Sequence, residues 1–125
     1  MIDLNKYKEF VDSVTSADSK STKRMTDRFS RIDFEKDVNM ARLLTGSIGL
    51  SGEIGEFNEH VKKLCFHDKE FDKDLEAKMK SELADIFWYW NQVCLAMSWD
   101  PNEVIEVNVK KLQARHPDGE FNANY

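Results

Sequence analysis

The chain of 125 residues has little of what marks several common classes of protein. Its only two cysteines, Cys65 and Cys94, both lie in apolar helical context, which indicates small buried residues of a reduced compartment and not a disulfide framework. No apolar run approaches the length of a membrane span, and residues 1–10 lack the apolar core of a signal peptide. We therefore expect a cytoplasmic protein with no membrane partner.

An excess of positive charge is also missing. Lys and Arg number 18 against 23 Asp and Glu, which leaves a formal net charge of −5. A protein that holds nucleic acid mainly through its phosphates needs the opposite balance, so we expect no nucleic-acid polymer as a partner. A small anionic substrate stays open, because a bound metal ion can reverse the local field.

Strand patterns and fixed-period repeats are absent too, and the apolar positions follow a helical period. We predict four helices, over about residues 2–15, 33–65, 74–97 and 100–115. Asp33 is the expected N-cap of the second helix and Asp100 that of the fourth, while residues 24–32 are ambiguous. The fold class is therefore all-α, a four-helix bundle core. The run Phe87–Trp90 is apolar around most of its helix, which indicates completion by dimerisation.

Glycine is scarce except in one stretch. Four of the five glycines, at positions 46, 49, 52 and 55, lie inside the second predicted helix. Each costs about 1 kcal/mol relative to Ala in a helix interior. Close approach of another helix backbone or of a ligand would explain them. Their spacing matches neither the dinucleotide-binding fingerprint nor a phosphate-binding loop, and no strand precedes them.

The same stretch carries the first of two carboxylate pairs. Glu53 and Glu56 lie three residues apart, and Glu82 and Asp85 repeat that spacing on the next helix. Residues three apart share a helix face, and both pairs border apolar positions. A single such pair is usually solvated. Two pairs that converge at a core would repel unless protons or a cation neutralised them, and such oxygen ligands suit Mg²⁺, with Mn²⁺ as an alternative.

Further polar residues continue these helix faces. They are His60 and Lys63 after the first pair, Tyr89 after the second, and Asn108, Lys111 and Arg115 on the fourth helix. Cations, an amide and a hydroxyl beside a metal site would suit the phosphates of a triphosphate. Each residue also has an ordinary interpretation as a solvated, surface or core side chain. Zinc-finger spacing is absent, and so is the second Glu-x-x-His helix pair of a ferritin-like di-iron site.

Three segments together resemble the MazG-type nucleotide pyrophosphohydrolases of the all-α NTP pyrophosphatase superfamily. They are GLSGEIGEFNEHVKK, ELADIFWYW and NVKKLQARHPDGEF. The ExxE and ExxD motifs of that superfamily are met by Glu53, Glu56, Glu82 and Asp85. Its NxxK motif, with a following Arg and PDG turn, is met by Asn108, Lys111, Arg115 and residues 117–119. The resemblance covers about residues 38–121, with all motifs in the expected order.

The length of the chain predicts a single domain over residues 1–125. The resemblance places its catalytic helical core at 34–121 and leaves an N-terminal helix and loop at 1–33 outside the matched part. It implies Mg²⁺-dependent hydrolysis of a (d)NTP to the (d)NMP and pyrophosphate by a homodimer or homotetramer. The four motif carboxylates would be the metal ligands. Asn108 and Lys111, with Arg115, would contact substrate phosphates. Glu53 and Glu56 are equal candidates for the general base.

Two alternatives stay open at this point. Within the superfamily, a dUTPase-like, dCTPase-like or phosphoribosyl-ATP pyrophosphohydrolase would carry the same carboxylates and differ in its base pocket. From another class, a non-catalytic helical dimerisation or adaptor protein would carry these carboxylates on its surface.

Overall fold

The computed structural model describes residues 1–121, 123 and 124. This part of the chain contains helices and no strand, which confirms the all-α prediction. The helices are α1 (Leu4–Ser13), a short 3-10 helix (Asp18–Lys20), α2 (Thr22–Lys36), α3 (Met40–Phe66), α4 (Lys73–Met97) and α5 (Pro101–Arg115). None of these helices combines the length and apolarity that a membrane span requires.

Residues 1–37 form one compact unit and the rest of the chain another, so the predicted single-domain organisation stays a prediction. In the first unit, the side chain of Asp3 caps α1 by accepting hydrogen bonds from two backbone N–H groups. Ser21 caps α2 by accepting one such bond, from Arg24 N. The 3-10 helix contacts α2, where Arg24 Nε donates to Asp18 Oδ1 at 2.9 Å. No residue of this unit is buried.

In the second unit, α3 and α4 pack closely against each other. A Cβ built on Gly46 would lie 2.9 Å from Val93 Cγ2 and 3.1 Å from its backbone nitrogen. A Cβ on Gly49 would overlap the ring of Tyr89. The prediction of close helix approach is thus confirmed at these two positions. At Gly52 and the next glycine of the stretch, nothing in the described structure lies within 4 Å of such a Cβ, so this packing does not explain them.

The start of α3 differs from the prediction. Asp33 lies inside α2, and Asn39 is the N-cap of α3 instead. Asp37 ends α2 in the left-handed conformation with φ of 52°, and α3 starts anew beyond it. The backbone N–H of Asn39 donates to the carbonyl oxygen of Ala96 at 2.8 Å, which fixes the start of α3 beside the end of α4.

The predicted start of the last helix is confirmed. Asp100 is the N-cap of α5 and accepts a hydrogen bond from Asn102 N at 2.8 Å, with Pro101 in the first turn. Within the described chain, α5 has no extended packing against α3 or α4. The single chain therefore joins two closely packed helices to a third that stands largely apart.

The core of the second unit is small. The buried apolar residues of the described chain are Leu75, Cys94 and Ala96. Cys94 is buried as predicted, but Cys65 is exposed, so that half of the cysteine prediction is wrong. Its neighbour Leu64 takes the half-buried position in that turn, since an apolar context does not by itself decide which side of a helix faces inward.

Candidate metal centre

The register of α3 against α4 places the two carboxylate pairs opposite each other. The helices are antiparallel, because the start of α3 is bonded to the end of α4 and only residues 67–72 connect them. Gly46 lies against Val93 and Gly49 against Tyr89, so each step forward along α3 is a step backward along α4. Continued in this register, Glu53 reaches the level of Asp85 and Glu56 that of Glu82.

Three of the four carboxylates converge. One carboxylate oxygen from each of Glu53, Glu82 and Asp85 lies within 4.8 Å of the other two. Glu53 Oε2 and Glu82 Oε2 are enclosed, and neither accepts a hydrogen bond within the described structure. Enclosed carboxylate oxygens without a partner are unfavourable, and a divalent cation with oxygen ligands would satisfy them. The donor set therefore fits the predicted cation.

Glu56 lies beside this group of three and is exposed, as Asp85 is, whereas Glu53 and Glu82 are half-buried. Hydrogen bonding to Glu82, and then repulsion by its charge, raise the pKa of Glu56 above the ordinary value. The pKa of Glu82 is also raised, chiefly because its carboxyl group and that of Glu53 lie close enough to share a proton. Two ionised carboxylates have no donor between them, so protons must be shared when no cation is bound. Nε2 of His60 lies 3.9 Å from Oε1 of Glu82, beyond hydrogen-bonding distance.

The other predicted residue on α4 has a packing role in the structure. The half-buried ring of Tyr89 lies against Gly49 and meets Trp88 edge-on at 5.0 Å between ring centroids. These contacts agree with the interpretation of Tyr89 as an aromatic side chain that packs in the core. Its contact with a substrate phosphate stays a prediction.

The structure does not bring the residues predicted on α5 to the carboxylates of the same chain. Asn108, Lys111 and Arg115 are exposed, at steps of three and four along a helix that has no extended packing on α3 or α4. Their substrate contacts therefore stay a prediction and would require an arrangement beyond the single chain.

The structure also brings together basic residues that the sequence motifs do not include. A cleft of about 330 Å³, here called the basic cleft, is lined by His60, Lys63, His67, Lys69, Asp74, Leu75 and Lys78. Of these, only His60 and Lys63 were noted from the sequence. The signal was present, since His67 follows Lys63 by four residues and Lys78 precedes Glu82 by four.

Comparison with known proteins agrees with this geometry. The family model for the MazG nucleotide pyrophosphohydrolase domain matches residues 44–119, which include both carboxylate pairs and all of α4 and α5. Neither the curated proteins nor the solved structures gave a significant match. Because the family match spans more than half of the chain, the chain belongs to the MazG nucleotide pyrophosphohydrolase domain family.

Proposed function

We propose that this protein is a Mg²⁺-dependent nucleoside triphosphate pyrophosphohydrolase that converts a (d)NTP to the (d)NMP and pyrophosphate. The observation that carries the proposal is the pair of enclosed oxygens without partners, Glu53 Oε2 and Glu82 Oε2, within the segment that matches the family. An adaptor protein with solvated carboxylates has no reason to enclose them. The observation therefore favours the enzyme over the adaptor alternative.

The ion would be held by Glu53, Glu82 and Asp85, whose oxygens converge, with Glu56 at the edge of the group. When bound, Mg²⁺ neutralises phosphate charge and polarises the α-phosphoryl group. Mn²⁺ prefers similar oxygen ligands and is the expected substitute.

In the proposed reaction, a water oxygen forms a bond to the α-phosphorus. The bond from the α-phosphorus to the oxygen that bridges it to the β-phosphorus breaks, and pyrophosphate leaves with that oxygen and the electron pair. Glu56 is our candidate for the group that accepts the proton of the water. Unlike Glu53, it lies outside the converging group and is exposed, so its carboxylate is accessible to water.

We further propose that the working form is a homodimer or homotetramer. Large apolar side chains are exposed on both packed helices, with Ile48 on α3 at 68% and Phe87 and Trp88 on α4 at 62% and 55%. Apolar exposure of this extent is typical of an interaction surface. A second copy could also bring α5, with Lys111 and its neighbours on that face, to the carboxylates.

Product analysis on a panel of (d)NTPs with Mg²⁺ tests the proposed reaction. The wild type should release pyrophosphate and monophosphate, and the substrate panel should show which base is preferred. Glu56→Gln should lower kcat by a factor of about 100 or more, the usual contribution of a general base. The matched control is Glu59→Gln on the same helix, since Glu59 is exposed and paired with Lys62 at 3.0 Å. It should stay within about twofold of the wild type.

The outcome distinguishes the alternatives. Orthophosphate as the first product would contradict attack at the α-phosphorus. Absence of turnover on every nucleotide would favour the adaptor alternative. Selective turnover of dUTP, dCTP or phosphoribosyl-ATP would assign the chain to that branch of the superfamily.

A further inference from the structure

The basic cleft lies next to the carboxylates, because His60 lines the cleft and also approaches Glu82. The cleft and the carboxylates together are here called the groove. On α3, Glu56, His60 and Lys63 follow one another at steps of four and three, so they share one face, and His67 caps the end of the helix. Lys63 is seven residues beyond Glu56, which corresponds to about 10 Å along the helix. The groove therefore has an acidic centre and, one to two turns away, a basic end.

His60 lies where the two parts of the groove meet. It lines the basic cleft, and its Nε2 is 3.9 Å from Oε1 of Glu82. Its side chain is 16% exposed and that of Glu82 is 18% exposed, so the junction is largely enclosed. A ligand that is held at the carboxylates and extends toward the α3–α4 connection would pass His60 and enter the basic cleft.

Two of the lysines that line the cleft form no ion pair within the described structure. Lys78 pairs with Asp74, the acidic residue of the lining, at 3.0 Å. Lys63 and Lys69 have no carboxylate at ion-pair distance in the described chain. The carboxylate of Glu59, which is four residues before Lys63, pairs with Lys62. Ammonium groups without a carboxylate partner around a cleft of about 330 Å³ fit an anion with several oxygens.

We propose that the basic cleft binds the β- and γ-phosphates of the substrate and then the pyrophosphate product, through Lys63 and Lys69. This inference rests on the proposed function, because it uses the carboxylates as the place of the α-phosphate. A polyphosphate spans both parts of the groove, with its reacting phosphorus at the acidic centre and its distal oxygens at the lysines. The cleft thus determines which end of the triphosphate points toward the α3–α4 connection.

Calorimetric titration of the full chain with inorganic pyrophosphate in the presence of Mg²⁺ tests the proposal. Lys63→Gln/Lys69→Gln should bind pyrophosphate about tenfold or more weakly than the wild type, because two charge-assisted contacts are lost. The control Lys62→Gln/Lys80→Gln removes the same two charges from the same region. Those lysines pair with Glu59 and Glu76 outside the cleft, so the control should stay within about twofold.

Equal affinity of both double variants, or absence of pyrophosphate binding by the wild type, would overturn the proposal. Circular dichroism checks that the variants fold, and Lys69→Gln alone, located in the α3–α4 connection, is the milder second variant. It should weaken binding about threefold or more. The titration needs no turnover, so it tests the cleft proposal separately from the proposed reaction. If the protein hydrolyses a (d)NTP to pyrophosphate but both double variants bind pyrophosphate equally well, only the cleft proposal is overturned.

Discussion

At the scale of single residues, the crowded carboxylates should make the metal-free protein sensitive to pH. Glu56 and Glu82 both have a pKa raised above the ordinary 4.5 in the folded chain, so the folded state favours their protonated forms. Their contribution to stability is present below pH 4.5 and is lost as the pH rises through the raised pKa values. With chelator present, thermal unfolding should show that the wild type loses more stability than Glu82→Gln as the pH rises from about 4.5 to about 7.

The nearby Glu59 supplies a control of opposite sign. Hydrogen bonding to Lys62 lowers the pKa of Glu59, so its contribution is present above pH 4.5 and is lost on acidification. Glu59→Gln should therefore lose the small stabilisation that Glu59 gives above pH 4.5. It should leave the loss of stability that the crowded carboxylates cause at rising pH unchanged. If wild type and Glu82→Gln kept a constant difference in Tm over this pH range, repulsion within the carboxylate group would not be the cause.

At the scale of secondary-structure elements, two glycines of one helix should respond oppositely to the same substitution. Gly49→Ala places a methyl group in the ring of Tyr89 and should destabilise the protein by about 1–3 kcal/mol through overpacking. Gly52→Ala meets no neighbour within 4 Å and should stabilise α3 by up to about 1 kcal/mol. Urea unfolding measures both. A Gly49→Ala variant as stable as Gly52→Ala would contradict the described packing of α3 on α4.

The elements also show how far local sequence patterns predict this structure. Asp100 before Pro101 specifies a helix start through local hydrogen bonds alone, and α5 begins there as predicted. The start of α3 could not be chosen in this way, because Asp33 and Asn39 are both good capping residues. The choice depends on the bond from Asn39 N to Ala96 O, which joins residues far apart in the sequence.

In the candidate site, too, some features follow from local sequence patterns and others depend on contacts between distant residues. Helical spacing predicted which carboxylates share a face, and the register of two helices then brought three of them together. Lys69 of the basic cleft could not be predicted from helical spacing, because it lies outside both helices. Its position depends on the connection, where Asp68 has a positive φ of 50° that no periodic pattern specifies.

At the scale of the whole molecule, a chain with so few buried residues should be completed by further copies. Ile48 is 68% exposed, so Ile48→Lys removes little packing within its own chain. In an interface, burial of such a side chain is worth about 1.5–3 kcal/mol, and a lysine would also bring a charge. Sedimentation should show a homodimer or homotetramer for the wild type and a marked shift toward monomer for Ile48→Lys. A monomeric wild type would contradict this assembly and the proposed role of α5.

The most direct test of the central claim, that these carboxylates hold a divalent cation, is the change in Tm on addition of millimolar Mg²⁺ to chelator-treated protein. A ligand at 100 times its Kd stabilises the folded state by about 2.7 kcal/mol. We predict a clear rise in Tm for the wild type and for the control Glu59→Gln, and none for Glu82→Gln. The metal-free form of Glu82→Gln should be at least as stable as the wild type because repulsion is relieved. An unchanged Tm of the wild type, or an equal rise in Glu82→Gln, would contradict the central claim.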